Sequence, residues 1–408
     1  MGIKPLFVIH SEDAFADEIL TNNDIKDKVI VNYKEIYKKL DWLKQICKTK
    51  DIDFLIFSRN DQVKDRINIG GITKRLKLGY TTVSSLEDDN FEKNTSSMLA
   101  DLLNMAAKSS KDARTESNPK KIGESKTFSL IFDTEQLGCI KFGVPRLLDV
   151  LKKHKIKATF FMTNLVRQIY PEIAAHVVSE GHEIGLHGEY HEFLQEKTKD
   201  EQAQKISRMI SDIGKITNVH GANFIGRFDE GTLNGMIDNN LEYFVFDAIK
   251  KYRYFGYRTA ATEPLITKQS HSGRSILAIP IDVETYNYPL GLVKKMVQTS
   301  IAQKEKNNST GQHITILMHP FRDGSLNHIK DTEQLIEFIS NLGFKPSRIV
   351  DYSSALVKNN LKSLDTDQFC NETQKMQING FTNMDVIDFI PQWTTRIIKK
   401  SSWPKVVF

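Results

Sequence analysis

Three strand-length apolar runs, far apart in the chain, each stop at side chains that ionise or bind metals. Residues 128–132 run into Asp133 and Glu135, residues 183–186 into His187 and His191, and residues 314–318 into His319. Short apolar runs bounded by polar residues read as buried strands. Between and beyond them, residues 144–154 and 170–180 repeat at helical spacing, and residues 158–162, 244–247 and 276–281 are again strand-like. Repeated strand–helix units of this kind predict an α/β fold, either a barrel or an open doubly wound sheet. Both architectures collect their chemistry at the C-terminal ends of parallel strands. All three titratable endings fall there.

Each ending has an ordinary reading when taken singly. Two imidazoles four residues apart come to one side of a helical turn, where both can reach one metal, but surface pairs of this spacing also arise by chance. Side chains alternate along a strand, so Asp133 and Glu135 share a face while Thr134 turns away. One carboxylate can then ligate a metal and the other take a proton, or both can be a solvated strand end. His319 can equally be a hydrogen-bonded loop histidine. Their agreement on one type of position favours a site.

The chain of 408 residues is long enough for two domains, since single domains run to ~100–200 residues. Residues 1–107 form the first: residues 6–9, 29–33 and 54–58 read as strands, with Ile36, Leu40, Leu43 and Cys47 at helical spacing between the last two. A second helix is expected after Ser97, with Leu99, Leu102, Leu103 and Ala106 on its apolar face. This predicts a small parallel α/β domain. Gly70-Gly71 fits neither the dinucleotide nor the phosphate-loop spacing, so no chemistry is assigned there. Residues 108–126 hold almost no apolar side chain and many charges, which makes them a linker. Residues 127–360 form the main domain. Residues 361–408 form a C-terminal extension, apolar enough near Trp393 and Trp403 to dock on a domain surface.

Apolar and charged fractions of 40% and 26% are those of an ordinary globular chain. No apolar stretch approaches the ~20 residues of a membrane-spanning helix, and no secretory leader is read at the start. Cys47, Cys139 and Cys370 lie far apart, which excludes a disulfide framework and a cysteine-based zinc site. Cytoplasmic residence is the expectation. The net charge of +5 is mild, with no basic stripe interleaved with aromatics, so no nucleic-acid partner is expected.

The motifs in combination resemble the polysaccharide deacetylases of carbohydrate esterase family four, which share the NodB homology domain. Ile131-Phe132-Asp133-Thr134-Glu135 is similar to the family's first motif. Gly143-Val144-Pro145-Arg146-Leu147-Leu148 looks like its first helix. Gly181-His182-Glu183-Ile184-Gly185, leading to His187 and His191, resembles the second motif, and Ile316-Leu317-Met318-His319-Pro320 the last. The resemblance covers residues 127–354. It implies a distorted (β/α) barrel of the NodB type and one divalent metal, zinc or cobalt, held by a carboxylate and two histidines. His187 and His191 fall on the histidine ligands, Asp133 on the catalytic base and His319 on the general acid. Thr134 replaces the family's carboxylate ligand, so Glu135 is assigned that place. The third motif lacks its proline: Arg227 is expected to orient the base. The fourth is absent as written, and Asp282 is kept as a substrate contact.

Resemblance therefore implies removal of an N-acyl group, acetyl above all, from a sugar or glycan. Two alternatives stand beside it: deformylation of a lipid-linked amino sugar, and a sugar-binding module without catalysis. His154, His182 and His313 are expected to be structural. From the polar linker we predict that limited proteolysis cuts within residues 108–126 and leaves a C-terminal fragment that melts cooperatively. A fragment that aggregates or melts without a transition would mean that the two parts fold as one.

Overall fold

The computed structural model describes residues 5–9, 29–31, 40–49, 52, 54–59, 76, 79–84, 126–226, 228–247, 249–252, 256–259, 263–286, 288–306, 312–356 and 361–378. In the N-terminal part β1 (Pro5–Ile9), β2 (Val29–Val31), β3 (Phe54–Arg59) and β4 (Gly79–Ser84) form a parallel sheet in the order β2-β1-β3-β4. Helix α1 (Leu40–Thr49) buries Leu43 and Cys47, four residues apart, and exposes Asp41, Trp42, Lys44 and Gln45. The expected α/β layer is there, with one strand more than the apolar pattern showed. The helix expected after Ser97, linker residues 108–125 and residues 379–408 lie outside the described residues.

The larger sheet is built on parallel strands β5 (Thr127–Thr134), β6 (Thr159–Met162), β7 (Glu183–Leu186), β8 (Gly221–Ala222) and β9 (Tyr243–Asp247). A hairpin, β10 (Ile249–Tyr252) and β11 (Gly256–Thr259), follows β9. The chain then runs through β12 (Leu265–Lys268), β13 (Ser275–Ile281), β14 (Val283–Glu284) and β15 (His313–Met318) to the short β16 (Lys345–Pro346) and β17 (Ser363–Asp365). Strand β13 lies parallel to β9, β14 lies parallel to β15, and β15 lies parallel to β5. Only Asp282 separates β13 from β14, and its N–H donates to Thr315 O at 3.0 Å. One continuous stretch thus changes partner from β9 to β15 and draws the two ends of the sheet together into a distorted barrel. Strand β12 runs antiparallel on β13 and carries β17 on its far side.

Alternation along these strands decides what fills the barrel. Ile131, Phe161, Tyr243, Val245, Leu277, Ile279, Ile281 and Leu317 form one interior cluster. Their neighbours Leu130, Phe132, Phe160, Met162 and Phe244 face the surrounding helices in a second cluster. Rings of this size need room. A Cβ on Gly221 would stand 2.2 Å from the Tyr243 ring, and one on Gly185 would stand 2.6 Å from Phe161.

The helices follow in turn: α2 (Val144–Lys153), α3 (Asn164–Ile169), α4 (Pro171–Ser179), α5 (Lys199–Ile213), α6 (Glu230–Asp238), α7 (Leu290–Lys306), α8 (Pro320–Asp323), α9 (Ile329–Asn341), α10 (Ile349–Ala355) and α11 (Thr366–Ile378). In α2 the buried set is Val144, Leu147, Leu148 and Leu151, the spacing of one helical face. A full capping box of Thr198 and Glu201 starts α5. Helix α10 closes the barrel floor by adding Ile349 to the interior cluster. The start of the C-terminal extension joins the larger sheet: β17 pairs with β12, and Phe369 of α11 meets Phe244 and Phe246 edge-on at 5.3 and 5.2 Å.

His182, just before β7, accepts the Ala158 N–H on Nδ1 at 3.0 Å and packs edge-on against Phe160. That bond needs the ring's lone pair. Burial, helped by the charge of Lys157, pushes its pKa down to about 4. In the unfolded chain the ring titrates near ~6.5. Between these values the unfolded state binds a proton that the native state does not, so stability falls as pH drops from about 6.5 to about 4. The contribution lost is about 3 kcal/mol. His182→Asn keeps an acceptor for Ala158 and removes the titration. Its denaturation midpoint should vary less with pH across this window than the parent's, and an equal slope would show that the acid sensitivity arises elsewhere.

Candidate active site

The parallel strands deliver their C-terminal ends to one rim. Asp133 is the last interior-facing position of β5, two residues beyond Ile131, and is 7% exposed. Glu135, on the turn that leaves β5, is buried to the same degree. From β7 the chain reaches His187, whose N–H donates to Met162 O at 3.2 Å. It then turns through Gly188 at φ +93° to His191 at φ +61°. The rings of His187 and His191 stand 5.0 Å apart. From β15 comes His319, which starts α8.

Asn223, the residue after β8, ties two of these together. Its backbone carbonyl accepts a hydrogen bond from His187 Nδ1, and its side-chain Nδ2 donates to Asp133 Oδ1 at 2.7 Å. A carbonyl can only accept, so the proton of His187 sits on Nδ1 and the lone pair on Nε2. That Nε2 is buried with no hydrogen-bond partner. An imidazole pinned in this tautomer, with an idle buried lone pair, is suited to a metal. Burial, then the charges of His187 and His319, push the His191 pKa well down, which favours the neutral ring that a ligand must be.

Another buried group supports His319. Asp323 accepts the His319 N–H at 2.8 Å and the Thr285 hydroxyl at 2.8 Å, and pairs with Arg322, which itself donates to Tyr288 O at 2.7 Å. Burial lowers the His319 pKa, while the carboxylates of Asp133 and Asp323 act to raise it. The ring lies 5.1 Å from Tyr286 and 5.6 Å from Phe321. The loops carrying Glu135 and His319 are locked by close backbone approach. A Cβ on Gly143 would stand 2.1 Å from Pro320 O, and one on Gly324 would stand 2.4 Å from Gly143 O.

Asp133, Glu135, His187, His191 and His319 are therefore all at the rim. Asp282 is not. At 1% exposure it lies within the barrel wall, held by Lys304 at 3.0 Å, the Ser300 hydroxyl at 3.2 Å and Thr315 N–H at 2.9 Å. The apolar run stops at Ile281, but pairing continues through β14, so the residue that reaches His319 is Tyr286. Arg227 lies outside the described residues; among the described residues Asn223 donates to Asp133. Sequence reasoning missed Asn223 because β8 is only two residues long.

Among the described residues, one trio has ligand atoms all within 4.8 Å of one another: His154, Glu333 and Glu337, at the surface. Lys153 already occupies Glu333 there at 2.5 Å, so we read it as an ion-pair cluster. Glu135, His187 and His191 do not close to that spacing. The fixed tautomer of His187 and the burial of the donor set argue for them nonetheless.

A (β/α) barrel with buried carboxylates and imidazoles gathered at one rim is the class these features define. Residues 120–241 match the family described as polysaccharide deacetylase. That segment holds Asp133, Glu135, His187, His191 and Asn223. It is 35% identical over 94 residues to the peptidoglycan-N-acetylmuramic acid deacetylase PdaA of Bacillus subtilis, covering 23% of this chain and 35% of that protein. To a peptidoglycan-N-acetylglucosamine deacetylase of Bacillus cereus it is 28% identical over 99 residues, 24% of this chain and 34% of that one. The chain thus spans about a third of the length of these curated relatives. The structure of Puue allantoinase aligns with a TM-score of 0.48 at 15% identity, over 59% of this chain and 94% of that one.

Asn223 can be tested without a substrate. Asn223→Ala removes the donor to Asp133 but keeps the carbonyl that fixes His187, and should cost roughly 1–3 kcal/mol at any pH above the carboxylate range. Asn223→Asp sets a second carboxylate against Asp133, where two like charges cannot both ionise cheaply. Its loss of thermal stability should be larger at about pH 8 than at about pH 5. Equal losses at both would mean that Asp133 does not face residue 223.

Proposed function

We propose that the barrel is a hydrolase that removes an N-acyl group, acetyl in the first place, from an amino sugar within a glycan. The observation that carries this is the tie of Asp133 and His187 through Asn223, with His319 at the same rim. Deacetylases of peptidoglycan among the relatives support the choice of substrate class. No helix among the described residues is long and apolar enough to cross a membrane. A cytoplasmic setting belongs to the proposal and suits three buried cysteines that form no disulfide.

Glu135, His187 and His191 would hold a divalent metal, zinc or cobalt, whose chemistry is to polarise an amide carbonyl and acidify a water. Asp133 is the proton acceptor for the attacking water. Its Oδ1 is held by Asn223 Nδ2–H, which directs the incoming proton to Oδ2. His319 is the donor for the departing nitrogen, because an amine anion is too poor a leaving group unaided. Burial disfavours the imidazolium and the ionised Asp133 is the strongest group favouring it. Once Asp133 has taken its proton, that support is gone and the His319 proton is released toward the amine. The two residues are thereby coupled in the order the reaction needs.

The test is acetate release from N-acetylglucosamine oligomers by the zinc- or cobalt-loaded chain. Asp133→Asn and His319→Ala should each lower turnover by roughly 100- to 10,000-fold. With an activated ester in place of the amide, His319→Ala should lose far less. Oligomers bound without release of acetate, or of formate from formylated sugars, would replace this reading with the sugar-binding module.

A further inference from the structure

Glu189 and Glu192 flank His191, and both are buried, at 3% and 4% exposure. A carboxylate leaves water at high cost unless a cation meets it. Here the cations come from α5. Lys205 Nζ reaches Glu189 Oε2 and lies 3.3 Å from Glu192 Oε1, while Arg208 Nε takes the other oxygen of Glu189. The same ammonium stands 5.6 Å from the centroid of the Tyr190 ring. A single side chain on a rigid helix therefore grips residues 189, 190 and 192.

The segment it grips is one that the backbone does not favour. His191 sits in the left-handed region, which L side chains rarely enter, and Gly188 precedes it with positive φ. Glu192 folds back inside this turn. Its Oε2 accepts Tyr190 N–H at 2.7 Å and lies 3.2 Å from where a Cβ on Gly188 would be. On the outer side, Asn164 and Leu165 donate their N–H groups to Gly188 O and Glu189 O, both at 2.9 Å. A buried ion pair is weak evidence for stability, since apolar residues of similar volume often serve as well. What two carboxylates and a lysine supply is a defined geometry.

We infer that Lys205 is a positioning residue for His191, acting through Glu189 and Glu192 to hold the imidazole where a metal meets it. This rests on the reading that His187 and His191 bind a divalent cation. Lys205 touches neither that cation nor the substrate. The sign of its effect separates two accounts. If Lys205 mattered only as a nearby charge, deleting it would tighten cation binding, because like charges repel. If it positions His191, deleting it weakens binding.

The experiment is cobalt(II) titration of the full metal-free chain, read by the visible absorption of the bound ion, whose intensity reports its coordination. Lys205→Gln should weaken cobalt binding by roughly 10- to 100-fold, as loss of a group supporting a ligand does. Lys205→Arg should restore most of it. The charge-balanced double variant Lys205→Gln with Glu192→Gln keeps Glu189 paired to Arg208 and guards against a single variant that fails to fold. It should also bind weakly. Arg348→Gln strips both hydrogen bonds from Asp351 at the far end of the barrel and controls for general loosening. Unchanged or tighter binding in Lys205→Gln overturns the inference, as does equal weakening in Arg348→Gln. A parent chain that binds no cobalt overturns the metal reading itself, and this inference with it.

Discussion

The barrel depends on one change of partner. Up to Ile281 the strand pairs with β9, and from Val283 it pairs with β15. Asp282, at the crossing, gives its N–H to Thr315 O and takes the Thr315 N–H on its own carboxylate. Backbone and side chain thus close the ring at one residue, and Lys304 neutralises the charge this places in the wall. Without closure β15 and β9 would be the two edges of an open sheet. His319 would then stand at one end of it and Asn223 near the other. The curvature imposed at Asp282 brings the ends of β5, β7, β8 and β15 around one rim.

That rim works through short links rather than through any one strong contact. Asn223 fixes a tautomer with its backbone and a carboxylate with its side chain. Each bond is modest alone, but both draw on the same residue, so the orientations of His187 and Asp133 cannot drift independently. Opposite them, Asp323 fixes the backbone of His319 and leaves its ring against Tyr286. Precision here comes from strand ends whose positions the packed interior has already set.

How much of this was legible depended on strand length and on where pairing stops. Strands β5 and β15 are long, apolar and buried throughout, so their ends, and with them Asp133 and His319, could be read directly. Spacing alone linked His187 to His191. Strand β8 spans two residues and leaves no periodic trace, so Asn223 was invisible although it sits at a strand end like the others. Asp282 rested on resemblance to the strand of the fourth motif, and resemblance does not show that this strand runs on through Asp282 to change partner, which places the side chain in the wall. In the N-terminal part β4, with Tyr80, Thr81, Thr82 and Ser84, carries little apolar signal, though its neighbours were plain.

The buried charges follow a common logic. In the pairs of Asp282 with Lys304, Asp323 with Arg322, and Glu189 and Glu192 with Lys205 and Arg208, every carboxylate is nearly sealed from water, while Arg208 stays largely exposed. None is a good way to gain stability, because desolvation offsets most of the attraction. Apolar packing tolerates exchange for residues of like volume, whereas a buried carboxylate holding named donors has no such substitute. The three networks stand where displacement would matter most: at the closing strand, behind His319 and around His191. The interior cluster supplies the bulk of the driving force, and these ionic locks decide which of several similar packings it adopts. On that division of labour, large apolar residues in the wall can be exchanged for others of like volume. The carboxylates of Asp282, Asp323 and Glu192 cannot, because each accepts a backbone N–H, of Thr315, His319 and Tyr190 respectively, that an apolar side chain would leave without its acceptor.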